Sequence, residues 1–148
     1  FNEKNCGLII PKKNKYTKED LKILNKFTDN IENLRESIDK QNLNYYVDFI
    51  IKTLFEANKY FNDQEPWKKK SEIERLNTII YVSLEIIRKI SIMLFPIIPK
   101  TSKKILHIFN LQEEEIVFSS ISNHDFLKSG NKINKIGILF QKIKKTND

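Results

Sequence analysis

The chain has 148 residues, 40% hydrophobic and 30% charged, and its 26 Lys+Arg against 19 Asp+Glu give a net charge of +7. That length fits one domain able to bury a core without disulfides or a metal, and the composition excludes a disordered tail or a membrane protein. The basic balance favours an anionic partner without choosing among nucleic acid, a membrane surface and an acidic protein.

Residue types refine the sum. There are 24 Ile, 23 Lys and 16 Asn against 1 Ala and 3 Arg (Arg35, Arg75 and Arg88). The bias fits an AT-rich coding genome, so part of the lysine excess says nothing about ligands. Cys6 stands alone, which excludes a disulfide framework and points to a reducing compartment. His107 and His124 are too far apart for metal-ligand spacing, so no metal site is expected. Gly7, Gly130 and Gly137 cannot build a phosphate-cradling loop or a dinucleotide fingerprint. There is no signal peptide, and the apolar run Ile86–Ile98 is broken by Arg88, Lys89 and Pro96, so no membrane span is expected. Met93 is the only methionine. Phe1 is therefore not expected to be a translation start, and the chain is expected to be a piece of a longer protein.

Residues 1–16 read as an irregular lead-in, with Pro11 and the lysines 12, 13 and 15 opposing regular structure. Thr17 offers an N-cap, with Glu19 and Asp20 in the first turn. Leu21, Leu24, Phe27, Ile31, Leu34 and Ile38 then form one helical face, placing a helix at about 18–39. Asn42 caps a second helix carrying Leu43, Tyr46, Val47, Ile50, Ile51, Leu54, Phe55 and Asn58, which ends before Pro66. Ser71 with Glu74 reads as a capping box for a third. It carries Leu76, Ile79, Ile80, Ser83, Ile86, Ile87, Ile90 and Leu94 and stops at Pro96. Thr101 is expected to cap a fourth helix, about 102–110, with Ile105, Leu106 and Phe109 inward. Glu113–Glu115 read as a solvated turn, Ile116–Phe118 as a short extended piece, and Ile136–Ile143 as a β-branched run able to form a strand. The fold class is all-α: an antiparallel bundle of four main helices, 17–111, with a less regular tail, 112–148.

No catalytic set emerges. His107 reads as a boundary residue, His124 as a solvent-exposed loop residue and Cys6 as a small apolar filler. Tyr45, Tyr46, Tyr60 and Tyr81 fit the core or its edge. The informative stretch runs from Ala57 to Lys70 and holds the only tryptophan, Trp67, behind Pro66 and ahead of Lys68, Lys69 and Lys70. An aromatic plate beside positive charge suits single-stranded RNA, whose bases stack on aromatic faces while cations hold phosphates. The alternative is that Trp67 closes the end of the bundle core. The run from Ile90 to Thr101 reads as a helix end, a proline corner and a new helix.

Taken in order, Asn58, Tyr60, Pro66 and Trp67, a long apolar helix, and then Leu94, Pro96, Pro99 and Thr101 resemble the anticodon-binding helical domain of class I methionyl-tRNA synthetases. Lys4-Asn5-Cys6-Gly7 through Pro11 and Thr17–Asp20 resemble that domain's loop between its first two helices. Gly137–Ile143 resembles its segment returning towards the catalytic body. The resemblance implies that Trp67, supported by Pro66, stacks on a base of the CAU anticodon. Asn58 then lies beside it, and Lys59, Lys68 and Lys69 neutralise phosphates. The family also reads the anticodon with an Asn and an Arg on the first helix of the domain, and Phe1 matches a position after that helix. No catalytic or metal-binding residue is expected here. ATP and magnesium are implied for a full-length cytoplasmic ligase, with tRNA and the chain's own catalytic domain as partners. Two alternatives stay open: the helical domain of another class I synthetase, and a non-catalytic helical interaction module that buries Ile136–Phe140 against a protein.

Overall fold

The computed structural model describes residues 1–137 and 139. Its helices are α1 (Asn2–Cys6), α2 (Lys18–Asp39), α3 (Leu43–Gln64), α4 (Ile73–Leu94) and α5 (Pro99–Leu106), with single 3-10 turns at Pro66–Lys68, His107–Phe109, Glu113–Glu115 and Phe118–Ser122. The expected all-α bundle is present, and no strand occurs among the described residues beyond an isolated antiparallel bridge, Ile9 to Lys132. The lead-in is not wholly irregular, because α1 makes one turn that Gly7 closes in the left-handed region. The strand read at 136–143 extends outside the described residues.

Caps decide the helix starts. Thr17 accepts from the Asp20 N–H, and Asp20 accepts in return from the Thr17 N–H, a reciprocal box with Asp at its third position. Asn42 accepts from the Tyr45 N–H at 3.3 Å. Two expected caps are absent. Helix α4 begins after Glu72, so its third position is Arg75, and Ser71 and Glu74 cannot form a box. Glu74 instead accepts from the Asn14 side chain at 2.7 Å. In α5, Pro99 occupies the first helical position behind Ile98, which moves Thr101 inside the helix.

Helix α4 is buried nearly all round, as a helix apolar on every face must be. One side, with Ile79, Val82, Ile86, Ile90 and Met93, packs with Leu24, Phe27, Leu34, Tyr46 and Ile50 of α2 and α3. The other, with Leu76, Ile80, Tyr81 and Leu84, meets Ile10, Ile108, Phe109, Leu127 and Ile133. The expected face of α2 holds except at Leu21, and that of α3 is rotated. Leu21 lies at the rim of α2, while α3 buries Phe49 and Thr53 and leaves Leu43, Ile51, Leu54 and Phe55 exposed. Tyr46, Tyr60 and Tyr81 are buried as expected, whereas Tyr45 is exposed. Cys6 packs against the second core cluster.

Three fully buried charges, Glu85, Arg88 and Lys89, interrupt this apolar helix. They hold down the segment 120–127, whose backbone has no helix or sheet of its own to bond to. Glu85 accepts from the Leu127 N–H at 2.7 Å and from Arg88 Nε at 2.9 Å. Arg88 donates to the Ser120 hydroxyl and to the Ser120 and Asn123 carbonyls, at 3.0–3.1 Å, and stacks 4.3 Å from the Phe126 ring centre. Lys89 donates to the Ile121 and Asn123 carbonyls at 2.6 Å and to His124 Nδ1 at 3.2 Å. Burial lowers Lys89 to about 7 even though the Glu85 charge opposes the shift.

His124 is therefore not the exposed loop residue expected. Its ring is half-buried between Lys89 and Asn25, because a lysine with no solvent to donate to needs an acceptor. His107, expected at the boundary, is exposed, and its carbonyl accepts from the Asn134 side chain.

Glu85→Ala strands two buried cations, and urea unfolding should show a loss of about 3–5 kcal/mol. A loss under about 1 kcal/mol, typical of a surface substitution, would show that the network is dispensable. Burial first, and then the Lys89 charge, lower His124 to about 4 from 6.5. Between those pH values the unfolded chain binds a proton that the folded chain refuses. Stability is thus kept above pH 6.5 and falls as pH drops towards 4. The loss is about 1–2 kcal/mol once the solvated part of the ring is allowed for. Thermal melts of His124→Gln over that window should depend less on pH than those of the parent, and equal slopes would contradict the assignment.

Candidate nucleic-acid interface

The α3–α4 junction begins at Glu65, which ends α3 in the left-handed region with φ 45°. Pro66 imposes this stop by excluding helical geometry from the residue before it. Pro66 is buried and opens the 3-10 turn, so its ring plugs the end of the bundle and the next side chain is turned outward. That side chain is Trp67, 44% exposed and part of neither core cluster. Pro66 is thus buried at the junction, while Trp67 stays partly exposed beside it. The indole leans on Phe61, with ring centres 6.2 Å apart at 56°, and Phe61 meets Phe1 edge-on at 5.6 Å and 87°. Phe61 supports one side of the indole, and 44% of the Trp67 surface is exposed.

Asn58 is exposed one turn before Phe61, on the rim of an apolar groove of about 690 Å³ between α3, α4 and α5. The lysines are less free than the sequence implies. Lys59 pairs with Asp63 at 2.7 Å, Lys68 with Glu65 at 2.6 Å and Lys69 with Glu72 at 3.7 Å. Such exposed pairs are worth about 0–1 kcal/mol each and can be exchanged for phosphate contacts. Lys70 is exposed and has no ion pair among the described residues.

Behind the turn lies a polar group that sequence reasoning did not single out. The Asp20 carboxylate, fully buried, accepts from the Tyr60 hydroxyl at 2.6 Å and from both terminal nitrogens of Arg75 at 2.6 and 2.9 Å. Arg75 also donates to the Gln64 side chain. Burial opposes ionisation of Asp20, but the Arg75 and Tyr60 hydrogen bonds outweigh it and hold the carboxyl below the usual carboxylate range. Burial, followed by the same carboxylate, pushes the Tyr60 phenol up. A signal was present, since a chain with 23 lysines and 3 arginines spends an arginine where a planar, two-toothed donor is needed.

The site can bind and orient, and it holds no nucleophile–base pair. No group of three His, Cys, Asp or Glu side chains suited to a metal exists among the described residues, and the buried carboxylates are engaged by arginines.

Residues 10–148 match the family described as the anticodon binding domain of methionyl tRNA ligase. The chain is 32% identical over 119 residues to a methionine–tRNA ligase of Brucella suis, covering 80% of this chain and 23% of that one. It is also 32% identical over 124 residues to that of Mycobacterium leprae, with the same coverage. In fold it is similar to Mycobacterium tuberculosis methionyl-tRNA synthetase bound by methionyl-adenylate, at a TM-score of 0.86 and 23% identity, over 95% of this chain and 28% of that chain. The chain thus spans about a quarter of the length of the curated relatives it matches. A helical bundle with an outward tryptophan at a proline-fixed junction, matched over nearly its whole length, belongs to the anticodon-binding domain family of methionyl-tRNA ligases.

Proposed function

We propose that this chain is the anticodon-binding part of a methionine–tRNA ligase and that it receives the CAU anticodon loop on Trp67. The carrying observation is the open indole on a proline-fixed turn, backed by Phe61. Stacking on a supported ring loses little conformational freedom, and a base on an aromatic face is worth about 1–3 kcal/mol. Asn58 offers an amide beside the stack for a base edge, and Lys59, Lys68 and Lys69 exchange their carboxylate partners for phosphates, joined by Lys70. The resemblance of the chain to its family supports this reading, as does the net charge of +7.

In the whole enzyme this part does no bond chemistry. It holds the distal end of the tRNA while the catalytic domain charges tRNA(Met) with methionine. There ATP, with magnesium, activates the amino acid carboxylate. The enzyme acts in the cytoplasm. No described helix is long and apolar enough to cross a membrane.

Trp67→Ala should weaken binding of an RNA hairpin displaying CAU in its loop by roughly 5- to 150-fold, the range of one lost stack. Trp67→Phe should retain part of the affinity. Unchanged binding by a folded Trp67→Ala chain would overturn the site. Raising salt from about 50 to 200 mM should cost about 50-fold if four phosphates are neutralised, and Lys70→Ala should flatten that dependence by about 0.7 in log–log slope. A salt-independent affinity would exclude phosphate contacts.

A further inference from the structure

We infer that Asp20, Tyr60 and Arg75 form a positioning clamp for Trp67, which sets the affinity of the indole for an RNA base. The inference rests on the proposed RNA-binding reading and adds three residues that touch no RNA.

The geometry runs as a chain of bonds. Asp20 lies in the first turn of α2, Tyr60 and Gln64 in the last turns of α3, and Arg75 in the first turn of α4. Arg75 binds the Asp20 carboxylate with two nitrogens and gives a further bond to Gln64. Gln64 is the last residue of α3 and stands three positions before Trp67, while Arg75 stands eight after it. The clamp therefore fixes both ends of the short connection that carries the indole. Asp20 is also tied by the Thr17 N–H at 3.0 Å, so the carboxylate cannot turn to follow a displaced arginine.

Burial in a core cluster does not fix the ring. Phe61 is the aromatic ring paired with it among the described residues, Trp67 belongs to neither core cluster, and 44% of its surface is exposed. Its place relative to the bundle depends on the backbone of the turn. A lysine at 75 keeps the charge but loses the fork that reaches Asp20 and Gln64 together.

Trp67 is the only tryptophan, so emission and acrylamide quenching report on this side chain alone. The experiment compares Arg75→Lys and Tyr60→Phe with the parent chain. Ser120→Ala, which loses a bond from Arg88 and a bond to the Val117 carbonyl, serves as a control for general destabilisation. Far-UV circular dichroism establishes folding, quenching reads the ring, and fluorescence titration reads affinity for the CAU hairpin RNA. Folded clamp variants should show increased quenching and affinity roughly five- to tenfold lower, within the range of one weakened stack. Ser120→Ala should change neither. If Arg75→Lys does not fold, Tyr60→Phe decides alone, since it removes one hydroxyl only. Unchanged quenching in a folded clamp variant overturns the inference, as does altered quenching with unchanged affinity. A parent chain that binds no RNA refutes the RNA-binding reading and, with it, the affinity part of the inference. The quenching data still decide whether the clamp places Trp67.

Discussion

Glu85, Arg88 and Lys89 sit on a helix that packs apolar side chains on nearly every face, and the rest of the molecule is arranged around satisfying them. An uncompensated charge at such a depth costs several kcal/mol, so each must find partners that water cannot provide. Most of the partners are backbone groups of residues 120–127. A segment without regular structure needs donors and acceptors for the same reason, so the two problems solve each other. Pairs of this kind add little net stability. What they add is discrimination, because sliding the segment by one residue strands a cation.

The same logic recurs at smaller scale at the α3–α4 junction. A buried carboxylate on one helix collects donors from two others, and the connection between those two inherits their rigidity. An aromatic side chain on such a base needs little further ordering when a flat ligand arrives, which is how preorganisation raises affinity. The charge sum of the chain plays a lesser part. Of the lysines nearest the indole, three are already paired with carboxylates, and the bias towards lysine runs through the whole sequence.

Local signals were legible in the sequence and distant ones were not. Helix α2 begins and ends where Thr17 and the apolar spacing place it, and α3 runs from Asn42 to the stop imposed by Pro66. Trp67 stood out because proline punctuation and a unique residue type are visible without a structure. Ser71 with Glu74 had the spacing of a capping box, but a shift of one residue in the helix start voids it. Thr101 failed as a cap because Pro99 is the better first helical residue. The apolar stripe of α3 did not reveal which of its members face the core, since Leu54 and Phe55 fit the same periodicity as Tyr46 and Ile50. The clamp escaped because its partners lie 40 and 55 positions apart, and the setting of His124 because Lys89 is 35 positions away. Spacing rules say nothing at those separations.

The bridge between Ile9 and Lys132 has a consequence for the order in which the molecule is built. Residues 8–10 bond to 130–133 through the Ile10, Gly130 and Ile133 N–H groups, across roughly 120 positions of chain. Closing so long a loop is entropically costly unless the intervening helices have already collapsed. During synthesis residues 8–10 must wait, with Ile10 uncovered, until residues 130–133 have emerged. This pairing then forms after the helices that lie between its two segments.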